Sequence, residues 1–173
     1  QVTAAMLEGQ NRVQAMSLIH EKLYQTEDMS VINIKEYTTQ LLKRIEEVYS
    51  LSGANQKIII DNELELDVDT AIPIGLILNE LVTNAYKYAF AERKTGEIII
   101  EIKKNKHDYV LSVSDNGVGL KEGFDLAEIT SIGLKIVKRL SLQLYGKFYF
   151  ESINGTKFTI EFKDTQGRIN ETT

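Results

Sequence analysis

Two pairs of alternating, strand-like segments, each closed by a short polar turn, constrain this chain more than any other feature. Residues 97–103 and 109–114 alternate across the turn Lys104-Asn105-Lys106-His107-Asp108. Residues 147–153 and 157–162 do the same around Asn154-Gly155, a dipeptide suited to the left-handed backbone of a tight hairpin. Strands joined by hairpins imply an antiparallel or mixed sheet, which must cover one face with helices.

The helices are legible as apolar periodicity. Residues 4–24 carry Met6, Val13, Met16, Leu18 and Leu23 at helical spacing, a stripe that an isolated helix cannot bury alone. A polar link at 26–33 leads to a second helix, 34–51, with Tyr37, Leu41, Leu42, Ile45 and Val48 on one face. Three consecutive isoleucines in 57–61 predict a buried strand. Pro73, the chain's one proline, suits a first helical turn, and a long helix is expected to follow to residue 90. A glycine-bearing loop at 115–130 precedes a helix over 132–144, and the last ten residues read as a loose polar tail. The class predicted is α+β: a two-layer α/β sandwich whose mixed, mostly antiparallel sheet has helices on one face. The boundaries expected are a helical segment at 1–28, which the resemblance described below makes a partial dimerisation helix, a domain at 29–163, which it makes the ATP-binding catalytic domain, and the tail at 164–173.

Composition removes several functions. The net charge is -5, from 20 basic and 25 acidic residues, so no basic stripe for nucleic acid is expected. The absence of cysteine excludes disulfides, thiolate zinc and a cysteine nucleophile, and is compatible with a cytoplasmic location. No run approaches the roughly 18 apolar residues of a membrane span. The chain opens on Gln1 within a helical pattern, from which we expect a fragment lacking its N-terminal part.

Four segments carry candidate chemistry. In the long helix, Glu80, Asn84 and Lys87 fall on one narrow face at roughly 100° per residue, opposite Leu78, Leu81, Val82, Ala85 and Ala89. An amide or carboxylate oxygen is a hard ligand for magnesium, and a lysine neutralises phosphate; a solvated polar face is the plain alternative. Asp115-Asn116-Gly117-Val118-Gly119-Leu120 follows a strand. Its aspartate can accept from the exocyclic amine of adenine, where guanine offers an acceptor instead, and its glycines let backbone approach a flat ring. Ser131-Ile132-Gly133-Leu134 opens a helix, whose free N–H groups suit phosphate. Gly155-Thr156 lies in the last hairpin. No P-loop motif is present.

In order and spacing these segments resemble the N, G1, G2 and G3 boxes of the GHKL ATPase superfamily, which includes histidine kinases, gyrase B, Hsp90 and MutL. The stretches LILNELVTNAYKYAF, SDNGVGL, SIGLKIVKRLSLQLYG and NGTKFTIEF resemble histidine kinases of the HisKA_2 type. QNRVQAMSLIHEKLYQTED is similar to that family's second dimerisation helix. The resemblance implies a Bergerat-type ATP-binding fold with ATP and Mg2+ as cofactors. It implies Asn84 as a magnesium ligand with Glu80 beside it, Lys87 on phosphate, and Asp115 on adenine, assisted by Thr156. Gly117 and Gly119 would line the base pocket, Gly133 would lie under the phosphates, and Tyr88, Leu120, Ser131 and Leu134 would complete the ATP site. Residues 121–130 would form a short lid. Ser131 stands where many relatives carry a glycine, and Phe124 is the one candidate for the family's phenylalanine box.

The activity implied is transfer of the γ-phosphoryl group to a histidine nitrogen, then relay to a response-regulator receiver domain by a homodimeric protein. Of the two histidines, His107 lies in a charged turn. His20, followed by Glu21, falls on the second arm of the dimerisation hairpin that the resemblance implies, whereas relatives carry the acceptor on the first; a packing or dimer-interface role is expected for it. The alternatives are an anti-sigma-type serine kinase and a nucleotide-gated dimerisation module without transfer activity.

Overall fold

The structure, a computed structural model, describes residues 2–25, 30–49, 54–90 and 95–171. In the first helix the side chains of 2–5, 7–8, 19–20 and 22–25 lie outside that description, and with them the readings of His20 and Leu23. Part of the 26–33 link and the end of the second predicted helix lie outside it too. In chain order the elements are α1 (Val2–Gln25), β1 (Val31–Asn33), α2 (Ile34–Tyr49), β2 (Ala54–Ile60), β3 (Glu65–Asp67) and α3 (Val68–Asn84). A π turn (Ala85–Ala89) extends α3, followed by β4 (Gly96–Asn105), β5 (Asp108–Asp115), α4 (Ile132–Gln143), β6 (Lys147–Glu151), β7 (Thr156–Lys163) and α5 (Thr165–Glu171).

Both predicted hairpins form, and they join into one sheet of order β2-β4-β5-β7-β6. Only the β2–β4 pair is parallel. The pleat places alternate residues on one face, and the register aligns them into rows. Ile60, Ile102, Leu111, Ile160 and Phe148 form one row; Ile58, Ile100, Val113, Phe158 and Phe150 form the next. Helices pack on this face. The isoleucine run is not buried throughout, because β2 is an edge strand covered on one side: Ile60 is 6% exposed and Ile59 41%.

α2 buries Ile34, Tyr37, Thr38, Leu41, Leu42 and Ile45, a continuous helical stripe, and Asn33 Oδ1 caps it by accepting from Glu36 N–H at 2.9 Å. α3 begins earlier than Pro73 predicts. Asp67 is its N-cap, accepting from Thr70 N–H at 3.0 Å, and Pro73 lies inside the helix. α1 packs on α2 and α3 through Ala15 and Leu18, while Met6, Val13 and Met16 of the predicted stripe face outward. The described part of the predicted tail is not loose: α5 is tied to β7 and to the start of α3, and residues 172–173 lie outside the described residues. A small second sheet pairs β1 with β3.

Candidate nucleotide site

Three elements meet at one end of the sandwich: α1, the second half of α3, and the N-terminus of α4. Glu80 does not lie on an outer face, as the helical wheel implies; it is 6% exposed. Arg12 of α1 covers it, with Nε donating to Oε1 at 2.7 Å and Nη2 to Oε2 at 2.9 Å. Asn79 Nδ2 donates to Oε1 as well, at 3.3 Å. A wheel gives the direction of a side chain and not what roofs it. α3 is enclosed by α1, α2, α4 and the sheet, which also accounts for the full burial of Ile77 near the polar edge.

Beyond Asn84 the helix widens into the π turn, so the spacing of an α-helix no longer governs where Lys87 and Tyr88 point. Asn84 and Lys87 are half-buried and Tyr88 is exposed. At the start of α4, Ser131 Oγ caps by accepting from Leu134 N–H at 3.4 Å. A Cβ on Gly133 would fall 2.6 Å from Glu80 Oε2 and 3.9 Å from Asn84 Nδ2. Glycine is what lets the helix N-terminus, with its free N–H groups, close on α3. Glu80, Asn84, Lys87, Tyr88, Ser131 and Gly133 thus line a single cavity of about 60 Å³. Asn11, Asn79 and Thr83 line it too; the polar pair Asn11-Arg12 inside an amphipathic helix was the available signal.

Asp115 lines a second hollow rather than this one, together with Gly155 and Thr156. Its Oδ1 accepts from Gly117 N–H at 2.9 Å and Thr156 N–H at 3.3 Å. Burial pushes its pKa above the ordinary aspartate value, although both bonds pull it down. A Cβ on Gly117 would strike the Ala89 carbonyl, and Val118 N–H donates to that carbonyl at 3.0 Å. Asp115 thus lies outside the lining of the Glu80–Gly133 cavity, and the contacts of Ala89 with Gly117 and Val118 join the π turn to the loop that follows Asp115. Gly119 has φ +76 and lies against Ser152, whose Oγ accepts from Leu120 N–H at 2.9 Å. Leu134 is buried in the core, and Phe124 packs edge-on to Phe150 with centroids 5.0 Å apart. Residues 121–130 contain a 3₁₀ turn, Leu126–Glu128, capped by Asp125.

A family model described as histidine kinase-, DNA gyrase B- and HSP90-like ATPase matches residues 69–166, more than half of the chain. The chain belongs to this ATPase family. A histidine kinase model matches residues 1–49. The chain is similar to the sensor histidine kinase PdtaS of Mycobacterium tuberculosis, 30% identical over 79% of this chain and 27% of that protein. It is also similar to the sensor protein LytS of Streptococcus agalactiae, 41% identical over 49% of this chain and 17% of that protein. The chain thus spans about a quarter or less of the length of these relatives. Its fold matches the histidine kinase domain of the blue-light activated kinase EL346 of Erythrobacter litoralis, with TM-score 0.82 and 21% identity, over 94% of this chain and 77% of that one. The α/β sandwich read from the sequence is therefore the ATPase family's fold, and the N-terminal helix belongs to the histidine kinase match.

Proposed function

We propose that this ATPase-family chain binds Mg-ATP and transfers the γ-phosphoryl group to a histidine nitrogen. The acceptor proposed lies on the first arm of the dimerisation hairpin, and the phosphoryl group is relayed to a receiver-domain aspartate. The observation that carries the reading is the gathering of Glu80, Asn84, Lys87 and Gly133 around one cavity at a helix N-terminus, with the loop after Asp115 bonded to the π turn that extends α3 through Val118 N–H and the Ala89 carbonyl.

Asp115 would accept from the adenine amine, its Oδ1 already held by two backbone N–H groups. Lys87 and the N–H groups at the start of α4 would hold phosphate oxygens. Asn84 would hold magnesium, with Glu80 beside it. The described residues contain no cluster of three or more acidic, histidine or cysteine side chains; this suits a cation that keeps waters and phosphate oxygens as ligands rather than an all-protein cage. When bound, the ion supplies charge neutralisation of the phosphates. The chain's own residues position and neutralise, which is most of what phosphoryl transfer requires. The outward face of α1, with Met6 66% and Val13 63% exposed, supports a homodimer built through that helix. No described helix is long and apolar enough to cross a membrane, and a cytoplasmic location accords with the absence of cysteine.

Calorimetry with Mg-ATP and Mg-GTP tests the binding step: ATP should bind and GTP should bind at least about tenfold more weakly. For transfer, radiolabelled ATP should mark a histidine on a longer chain carrying the first arm, with acid-labile phosphate. Equal binding of both nucleotides, or label on His20, would overturn the assignment.

A further inference from the structure

One wall of the Glu80–Gly133 cavity has no role in that reading. Asn11 Nδ2, Asn79 Oδ1 and Thr83 Oγ1 are buried and have no hydrogen-bond partner among the described residues. The three residues are 5%, 2% and 5% exposed, and all three line the cavity. Native proteins keep few such atoms, and each calls for an explanation in water or ligand. At about 60 Å³ the space admits several waters or a group of similar bulk.

The charges around the wall favour an anion. Among the described residues Glu80 is the one carboxylate lining the cavity, and Arg12 takes one lone-pair site on each of its oxygens. That pairing removes most of the repulsion a carboxylate would exert on phosphate. Lys87 lines the same cavity, and the α4 N-terminus adds its dipole. Asn11 and Arg12 are consecutive on α1, so one helix brings both the neutral donor and the cation.

We propose that Asn11 and Thr83 form the subsite for the terminal phosphoryl group of the nucleotide, so that α1 contributes to telling a triphosphate from a diphosphate. This rests on the reading of the cavity as the phosphate end of an ATP site. The Asn11 amide and the Thr83 hydroxyl donate to phosphoryl oxygens, and Asn79 Oδ1 accepts from a water in the ligand's shell. Arg12 is a positioning residue, acting through Glu80.

The test is calorimetry with a non-hydrolysable ATP analogue and with ADP, both with magnesium, on the parent chain, Asn11→Leu and Thr83→Val. Each variant should weaken the analogue about tenfold, as for loss of a hydrogen bond to a charged group, while ADP stays within about twofold. Thr83→Val is isosteric at a hydroxyl without a partner, so it should fold even if Asn11→Leu does not. Equal shifts for both ligands, or none for the analogue, would overturn the subsite while leaving ATP binding intact. Failure of the parent to bind either ligand would remove the nucleotide reading, and the subsite with it.

Discussion

Arg12 on α1 and Glu80 on α3, separated by 68 positions in sequence, make a two-point ion pair at 2.7 and 2.9 Å. The carboxylate is almost wholly buried, while the Arg12 side chain keeps 23% of its surface. The pair therefore fastens the helix of the histidine kinase match to the ATPase-family domain at the edge of the cavity lined by Asn84, Lys87 and Gly133.

Breaking the pair on one side should be worse than removing it. Arg12→Met leaves a buried carboxylate without its cation and is expected to lose about 2–3 kcal/mol, below the range for a fully buried pair because Arg12 is partly hydrated. Glu80→Leu frees a cation that can reach water and should lose about 1–2 kcal/mol. The double variant should lie within about 1 kcal/mol of the parent, since an apolar pair of similar volume replaces an ion pair with little change. Urea unfolding of the four proteins measures the coupling; simple additivity would show that the two side chains do not act as a unit.

Asp115 should trade stability against binding. Its pKa is raised by burial, so its contribution to stability is full below the ordinary aspartate value and is lost as pH rises through the raised one. Asp115→Asn removes that loss and can still accept from Gly117 and Thr156 N–H. It should be at least as stable as the parent at neutral pH, with any difference vanishing towards acid. Its amide would present a donor to the adenine amine, so adenine nucleotide should bind about tenfold or more weakly. Unchanged affinity would remove Asp115 from the adenine site.

The parts of this fold legible in sequence are those written as period. The stripe of α2 and the two hairpins need only local alternation. What escaped is written between distant segments. Glu80 faces the polar side of its wheel, but its cover is a residue of another helix. α3 begins at an aspartate cap that no periodicity marks, so Pro73 was the more visible start signal. α5 has no apolar stripe; side-chain hydrogen bonds from Thr165 and Arg168 hold it. Asn84 and Lys87, and separately Asp115, were visible as motifs, whereas Asn11 lines the cavity and Arg12 covers Glu80 only because α1 docks on α3.

Gly155 and Gly123 offer a controlled comparison. Both have positive φ, +121 and +79. A Cβ on Gly123 meets nothing within 4 Å, whereas one on Gly155 strikes the Asp115 carbonyl. Gly123→Ala should therefore lose about 1 kcal/mol, the backbone term alone. Gly155→Ala should lose about 3 kcal/mol or more and weaken adenine nucleotide, because the Asp115 backbone must move. Thermal unfolding of both variants checks the ranking; equal losses would mean that the contact with Asp115 relaxes freely.

Asp67 joins the two ends of the domain. Its carboxylate accepts from Thr70 N–H and Oγ1 at 3.0 and 2.9 Å, and from Thr165 N–H and Oγ1 at 3.2 and 2.7 Å. Partial burial raises its pKa, yet these four bonds outweigh it and hold the group below the ordinary value of 3.8. Its stabilisation is therefore present above that value and is lost as pH falls through the depressed one. Asp67→Ala should lose about 2 kcal/mol at neutral pH, roughly half from the α3 cap and half from the bonds to Thr165. The deficit should shrink as the solution is acidified below the ordinary aspartate range. Thr165→Val separates the two contributions: it keeps the cap at Thr70 but removes the side-chain tie to α5. Amide exchange of Gly167 and Arg168, whose N–H groups donate to Asp164, should quicken in both variants, while protection at Thr70 should fall only in Asp67→Ala. Slow exchange at Gly167 in Thr165→Val would mean that Arg168, bonded to the Lys163 carbonyl at 2.6 Å, anchors the last helix without Asp67.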